Sequence, residues 1–268
     1  MKGKFYFVGT PIGNLKDFST NQIETLQKVD IILCEDTRTS LTLLKNYDIN
    51  KKLLSFHKFN YKEMCPKVIE FLLEGKNIAL ISDAGMPSIS DPGKELIESL
   101  RDNEIQYTVI GGVSAFLNAF VLSGFDMPFT FLGFLPEKQK DRKEFLLEFR
   151  NIKSTLIFYS SVHDIQKDLK DLYELLGDRK VFVARELTKM YEELYFSTLK
   201  EGINLTLRGE FVIIVEKYVE KQDDYTMEDK MNFYLSLGYT KNESIKLIAK
   251  DKNLTKSEVY NYFIKKDK

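Results

Sequence analysis

The stretch at residues 78–85 reads Ile-Ala-Leu-Ile-Ser-Asp-Ala-Gly, so that four apolar residues lead directly into a polar loop with a glycine. A continuous apolar run of this length is typical of a strand buried on both faces, as in a parallel sheet. The pattern recurs in three segments, residues 5–8, 31–33 and 107–110. A helical stripe lies between two of them, with apolar side chains at Cys65, Val68, Ile69 and Leu72. This β-α alternation predicts a doubly wound α/β domain over residues 1–124.

A second group of apolar runs begins at Phe129 and includes alternating stretches, which predicts a mixed sheet in a second α/β domain over residues 125–219. Just before it, residues 115–122 are almost entirely apolar, so we expect a helix that is buried on most sides. After Val219, a threonine precedes an acidic residue by three positions in three places: Thr226 and Asp229, Thr240 and Glu243, Thr255 and Glu258. This spacing marks helix N-termini. We therefore expect a small C-terminal helical module over residues 220–268.

The overall composition is that of a globular protein with nearly balanced charge. Lys and Arg number 39 against 40 Asp and Glu, a formal net charge of −1, so no overall field attracts nucleic acid. From Lys241 onward, eight lysines against four acidic residues give a local charge of +4. Two interpretations of this tail stay open, a solvated module that packs on the second domain and a surface that contacts RNA.

The sequence favours neither a metal site nor a membrane segment. Its only cysteines and histidines are Cys34, Cys65, His57 and His163. They do not have the spacing of metal ligands, so we expect buried thiols and no metal. The chain starts with a strand-like segment instead of a long apolar signal region, and no apolar stretch approaches membrane-spanning length. We expect a cytoplasmic protein.

Polar loops follow four predicted strands of the first sheet, at residues 9–15, 35–38, 82–93 and 111–115. In an open α/β sheet, ligands bind beyond the carboxyl ends of the strands. None of the loops has the glycine spacing of a dinucleotide-binding or P-loop motif. Each alone is compatible with an ordinary turn, and Ser114 suits a helix N-cap. Their joint placement nevertheless predicts one shared ligand cleft.

Six motifs give the chain a specific resemblance. They are Gly-Thr-Pro-Ile-Gly-Asn at 9–14, Glu-Asp-Thr-Arg at 35–38, Ile-Ser-Asp-Ala-Gly at 81–85, Ser-Asp-Pro-Gly at 90–93, Gly-Phe-Leu-Pro at 133–136 and Ala-Arg-Glu-Leu-Thr-Lys at 184–189. Together they resemble the tetrapyrrole (corrin/porphyrin) methylase superfamily. Within it they resemble the branch that methylates the ribose 2′-oxygen of a cytidine in the decoding region of 16S ribosomal RNA. The resemblance runs from about Lys4 to Glu216, and more weakly through the helical tail.

This resemblance implies two α/β domains with S-adenosylmethionine in the cleft between them, and a homodimer. It places the following residues at the cofactor: Asp83, Ala84, Gly85, Ile89, Gly111, Ser114, Ala115, Phe158 and Glu186. It also turns the first loop toward the methyl group and the RNA, through Thr10, Pro11, Gly13 and Asn14. The sequence departs from the family pattern in four places: residues 111–114 lack two prolines, Met86 replaces a threonine, Phe59 replaces a histidine, and residues 160–164 lack a Glu and an Arg.

Methyl transfer from a sulfonium is an in-line displacement, so alignment of the reactants carries much of the catalysis. A ribose hydroxyl also needs a base or a polarising donor. Asp36 and Glu186 are the candidate bases, and Glu35 is a further one. Arg38 is also a catalytic candidate, and Arg38 and Arg185 both suit phosphate. The structural alternatives are a local ion-paired turn for Asp36 with Arg38 and an interdomain salt bridge for Arg185 with Glu186.

RNA contact is expected from basic residues just after the Gly-Phe-Leu-Pro motif: Lys138, Lys140, Arg142 and Lys143. Such residues bind phosphate and do not read sequence. The alternative is a solvated helix start. His57 is a candidate for substrate binding or for a structural hydrogen bond. The expected partner is 16S ribosomal RNA or the small ribosomal subunit.

Three functions are compatible with the sequence: ribose methylation of 16S ribosomal RNA, methylation of a tetrapyrrole-type small molecule, and an inactive RNA-binding assembly factor that still holds the cofactor. The first loop and the helical module favour RNA as the substrate, since a corrin enzyme needs neither. The missing prolines and the changes at residues 160–164 favour the inactive factor.

Overall fold

The first sheet consists of five short parallel strands. In the computed structural model they are β1 Phe5–Val8, β2 Ile31–Cys34, β3 Lys52–Ser55, β4 Ile78–Leu80 and β5 Tyr107–Ile110, in the order β3-β2-β4-β1-β5. A 3-10 turn at Leu15–Asp17 and five helices connect or follow them: α1 Thr20–Lys28, α2 Thr37–Lys45, α3 Tyr61–Leu73, α4 Lys94–Asp102 and α5 Ala115–Ser123. The predicted alternation of strands and helices is confirmed.

The second sheet is mixed, as predicted. Its strands are β6 Phe129–Phe134, β7 Thr155–Ser161, β8 Lys180–Arg185, β9 Glu193–Thr198 and β10 Glu210–Val215, in the order β6-β7-β10-β8-β9. Only β6 and β7 pair in parallel, and the other three pairs are antiparallel. The helices α6 Gln139–Glu148 and α7 Ile165–Leu176 cover one face.

The structure describes residues 1–89, 93–219, 226–236, 238–252 and 254–266, with no side chains given for 265 and 266. Of the Ser-Asp-Pro-Gly motif at residues 90–93, only Gly93 therefore lies within the described residues. The chain divides into two compact units, Met1–Tyr218 and Val219–Lys268. No described helix has the length and apolar character needed to cross a membrane.

Both sheets lie in the first unit, and α5 connects them because it follows the first sheet in the chain and packs against the second. Although α5 directly follows β5, its residues Phe116, Ala119 and Phe120 pack against β7, β8 and β10 of the second sheet. The boundary expected at residue 124 falls at the end of this helix. A division of Met1–Tyr218 into two α/β domains stays a prediction.

The exposure of one face of α5 contradicts the expectation that this helix is buried on most sides. Leu117, Val121 and Leu122 are 44%, 78% and 42% exposed. The second sheet covers only the opposite side of the helix, since a sheet buries one stripe of a helix packed on it.

The second unit contains three helices, α8 Met227–Ser236, α9 Lys241–Asp251 and α10 Lys256–Lys266. Its small core consists of Met231, Ile245, Ile248, Ala249 and Val259. The three predicted threonine caps are present. In each, the acidic side chain accepts hydrogen bonds from the threonine backbone N–H and hydroxyl, as Glu243 does from Thr240 at 2.9 and 2.7 Å.

Arg142, predicted to contact RNA, is instead buried between α6 and α7. Its side chain is 2% exposed and forms ion pairs with Asp168 and Asp171. Asp168 also accepts a hydrogen bond from the Ser160 hydroxyl. A buried guanidinium is tolerated only with such partners, and they lie 26 and 29 positions away in the chain, where no local pattern reveals them.

Replacing Arg142 with Met is expected to lower the free energy of unfolding by about 3–5 kcal/mol, because two buried carboxylates lose their counter-charge. Urea denaturation followed by circular dichroism measures this change. The matched control is Lys143→Met on the exposed side of the same helix, where we expect almost no loss. Equal stability of the two variants would contradict a structural role for this ion-pair network.

Candidate functional site

A cavity of about 330 Å³ lies between the carboxyl edge of the first sheet and one face of the second sheet. Six residues that were predicted to bind a cofactor line it: Ala84, Gly85, Ile89, Ser114, Ala115 and Glu186. The second sheet contributes further lining residues, among them Tyr159, Ser160, Ala184 and Val212. The structure therefore brings together loops that are far apart in the chain, in a hollow of the size that small-molecule sites usually have.

Thr10 and Gly85 pair their backbones and thereby join the loops after β1 and β4. Thr10 N–H donates to Gly85 O at 2.8 Å, and Gly85 N–H donates to Thr10 O at 3.2 Å. The Thr10 hydroxyl donates to Ser82 O at 3.1 Å. Thr10 is fully buried by these contacts and Pro11 is buried beside it. Neither residue lines the cavity, and their contact with a substrate stays a prediction.

The loop after β5 contacts the loop after β1 through a glycine in each loop. A Cβ on Gly9 would lie only 2.8 Å from the Cα of Gly112, so this approach requires glycine at both positions. Gly111 is exposed and does not line the cavity. The next residues, Ser114 and Ala115, start α5 at the cavity wall, and the Ser114 side chain makes no N-cap hydrogen bond.

Glu186, Lys189 and Glu210 form a polar cluster on the cavity wall. Glu186 Oε1 accepts hydrogen bonds from Lys189 Nζ at 2.9 Å and from the Glu210 backbone N–H at 3.0 Å, and Lys189 also donates to Glu210 Oε2 at 2.9 Å. Burial of Glu186 by itself raises its pKa, but these two hydrogen bonds, together with the positive charges of Lys189 and Arg185, outweigh burial and lower the pKa below its ordinary value. Glu186 is thus held as a carboxylate with a low affinity for protons.

Asp36 and Arg38 form the local ion-paired turn that was the structural alternative for this motif. Arg38 donates to both carboxylate oxygens of Asp36, at 3.1 and 2.6 Å. Hydrogen bonding from the Arg38 side chain and backbone lowers the pKa of Asp36 to about 2. Neither residue lines the cavity. Asp83 does not line it either, and its carboxylate accepts a 3.4 Å hydrogen bond from the Asp36 N–H.

Two further predicted residues point away from the cavity. Phe158 is fully buried in the core beneath α6 and α7, because alternate residues of β7 face opposite sides of the sheet. Arg185 is 3% exposed and donates to Arg208 O at 2.6 Å and to Tyr191 O at 3.1 Å. It also pairs with Glu193 at 3.0 Å. Arg185 therefore ties β8 to neighbouring segments, and its contact with phosphate stays a prediction.

The remaining predicted substrate residues lie outside the cavity. Gly13 is exposed, and the Asn14 side chain accepts a hydrogen bond from Lys16 N–H at the 3-10 turn. His57 is half-buried after the edge strand β3, where its Nδ1 accepts from Phe59 N–H at 3.3 Å. Lys138 and Lys140 are exposed at the start of α6. In the described part of the chain, no His, Cys, Asp and Glu residues group as a metal site would require.

Several lining residues were not predicted: Ile12, Met86, Phe134, Tyr159, Ser160, Lys189 and Glu210. Phe134 and Lys189 belong to quoted motifs, so the motifs marked their position without revealing their role. Tyr159 sits one residue from the predicted Phe158. The strand register that decides between these two neighbours is a long-range property.

Residues 4–202 match the profile of the family described as Tetrapyrrole (Corrin/Porphyrin) Methylases. A ribosomal RNA small subunit methyltransferase I of Halalkalibacterium halodurans is 41% identical over 274 residues, which cover 98% of this chain and 95% of that protein. The protein of the same name from Bacillus subtilis is 40% identical over 277 residues, with coverages of 98% and 95%. Among solved structures, the methyltransferase CobJ has a TM-score of 0.61 at 16% identity and covers 80% of this chain and 94% of its own.

Glu186→Gln is expected to destabilise the protein at neutral pH and to matter less in acid. The folded-state pKa of Glu186 lies below the ordinary 4.5. Its stabilising effect is therefore complete above that value and is lost as the pH falls through the lowered pKa. Urea titrations from pH 7 to pH 3 measure the difference between wild type and variant, with Glu201→Gln on an exposed turn as control. A difference that stays constant over this range would contradict the assigned charge state.

Proposed function

The chain belongs to the tetrapyrrole (corrin/porphyrin) methylase family, and from this premise we propose that it methylates the 2′-oxygen of a cytidine ribose in 16S ribosomal RNA. S-adenosylmethionine is the cofactor. The proposed nucleotide lies in the decoding region of the small ribosomal subunit, so the enzyme would act in the cytoplasm. One observation carries the choice of acceptor: relatives named ribosomal RNA small subunit methyltransferase I match 98% of this chain.

The cavity residues fit S-adenosylmethionine. Small side chains at Ala84, Gly85, Ala115 and Ala184 leave room for a nucleoside against the backbone. Ser114, whose hydroxyl makes no cap bond, and the first turn of α5 offer hydrogen-bonding groups. The Glu186 carboxylate accepts hydrogen bonds and carries the charge that suits a cationic ligand. We therefore assign these residues to cofactor binding.

When bound, the cofactor supplies an electrophilic methyl group on a sulfonium. The protein must then hold a ribose hydroxyl in line with that methyl group. Asp36 and Glu186 are poor candidates for removing the hydroxyl proton, because Arg38 and Lys189 keep their pKa values low. Glu186 is placed to orient a ligand, since both of its hydrogen bonds use Oε1 and the described residues provide no partner for Oε2.

Two exposed basic surfaces are proposed to contact RNA phosphates. One lies at the start of α6, where Lys138, Lys140 and Lys143 are exposed. The other is the second unit, whose residues from Lys241 onward carry a local charge of +4. α10 adds exposed aromatic side chains at Tyr260 and Tyr262, and such side chains stack on unpaired bases. These surfaces supply the positive charge that the whole chain lacks.

We further propose that the chain forms a homodimer through the exposed face of α5. Leu117, Val121 and Leu122 form an apolar patch there, and Met127 just after the helix is 64% exposed. Exposed apolar patches of this kind mark protein interfaces, and a two-fold dimer would bury the same patch on both copies.

Light scattering is expected to give twice the chain mass of 31.2 kDa, and Val121→Glu is expected to shift the protein toward the monomer. The control is Phe196→Glu, since Phe196 is 63% exposed on the edge strand β9. A wild-type monomer, or a Val121→Glu dimer as stable as wild type, would contradict this interface.

The methyl acceptor can be identified with small ribosomal subunits from a strain that lacks the encoding gene. Incubation with the purified protein and methyl-labelled S-adenosylmethionine is expected to label 16S ribosomal RNA. After alkaline hydrolysis the label should appear in a dinucleotide that starts with cytidine, because a 2′-O-methyl group removes the hydroxyl that attacks the phosphate. Label in a mononucleotide would contradict ribose methylation. Cofactor binding without transfer to RNA would favour the inactive assembly factor, and transfer only to a tetrapyrrole would favour the small-molecule enzyme.

A further inference from the structure

Phe134 is an exposed aromatic residue at the edge of the cavity. It is the last residue of β6, lines the cavity and is 58% exposed. Its aromatic surface is thus presented both to the hollow and to solvent. A phenylalanine in this position gains little from burial, and the mechanism described above does not use it.

A β-bulge turns Phe134 toward the cavity. The pairing of β6 with β7 shifts between Phe131, which pairs with Ile157, and Gly133, which pairs with Phe158. Gly133 has a φ of +67°, a conformation that glycine adopts without strain. Without the inserted residue, Phe134 would lie on the same face as Leu132, which packs in the core beneath α6 and α7.

The bulge instead places Phe134 opposite Tyr159, another cavity residue. The two ring centroids are 5.5 Å apart, and the Tyr159 ring packs on Phe131 at 5.0 Å. Phe131 in turn stacks on Phe116 of α5 at 4.3 Å. The Phe134 ring is therefore supported from behind by a chain of aromatic contacts, while its other side stays open.

We propose that the open face of Phe134 stacks on the base of the nucleotide whose ribose is methylated. This inference rests on the proposed function. Site-specific recognition of RNA commonly uses nucleotides whose bases are unstacked, and an aromatic side chain replaces the lost stacking of such a base. Phenylalanine has no hydrogen-bonding group, so Phe134 holds the base without reading its identity.

The cofactor adenine is the competing occupant, and the position of the ring argues against it. The residues assigned to cofactor binding come from the first-sheet loops, the start of α5 and the end of β8, and none of them lies on β6. Phe134 comes from the end of β6, and more than half of its surface remains accessible to solvent. A macromolecular substrate reaches this surface without entering the cavity.

The test compares Phe134→Ala with Phe134→Tyr, which keeps the ring, and with Phe196→Ala, which removes another exposed ring. Phe196 does not line the cavity. Steady-state methyl transfer to undermethylated small subunits gives kcat and KM, and isothermal titration gives the affinity for S-adenosylmethionine. Loss of one base stack is expected to lower kcat/KM of Phe134→Ala by about 10- to 100-fold. Phe134→Tyr and Phe196→Ala should behave like wild type, and cofactor affinity should be unchanged in all three variants.

Two results would overturn this assignment while leaving the proposed function intact. One is wild-type kcat/KM in Phe134→Ala, which would mean that the ring does not touch the acceptor. The other is a loss of cofactor affinity in Phe134→Ala matching its loss of activity, which would assign the ring to the adenine. A wild-type protein that transfers no methyl group to RNA would instead refute the proposed function, and the stacking role with it.

Discussion

The backbone pair between Thr10 and Gly85 is the constraint on which the site depends. It fixes the loops after β1 and β4 against each other, with Thr10 fully buried among carbonyl oxygens that accept its hydroxyl. The contact of Gly9 with Gly112 adds the loop after β5. Three loops of the first sheet are thereby locked before any ligand binds, and such preorganisation lowers the entropy lost on binding. The glycines and the threonine of these motifs thus determine the shape of the cavity.

The sequence predicted the first sheet well because parallel strands buried on both faces leave continuous apolar runs, as in Ile31–Cys34. The edge strand β9 was not predicted, since its exposed and half-buried residues alternate without a strong apolar run. The positions of the loops were predictable as well, because each loop begins where a predicted strand ends. Side-chain roles were less predictable. Arg142 and Arg185 look like surface cations in the sequence, and only partners brought close by the fold bury them.

The direction of a side chain on a strand depends on register, which local sequence does not fix. Phe158 was predicted at the cavity, yet its neighbour Tyr159 lines it. The effect is larger at Phe134. One inserted residue in β6 moves the side chains of the residues that follow it to the opposite faces of the sheet. In both places the motif located the site to within a residue or two, and the pairing of β6 with β7 decided which aromatic ring reaches it.

The two acidic residues predicted as catalytic bases also bear on how catalysis would work. Glu186 and Asp36 are each held ionised by a neighbouring cation, so neither has the proton affinity of an effective base near neutral pH. The arrangement is better suited to orientation than to proton transfer. Orientation in turn requires that the acceptor be held from several sides. A chain with a net charge of −1 has no overall field that attracts RNA, so in our proposal local basic surfaces and stacking on Phe134 position the acceptor. Stacking has the further property that it is much less sensitive to salt than phosphate contacts are, which suits a chain without an overall positive charge.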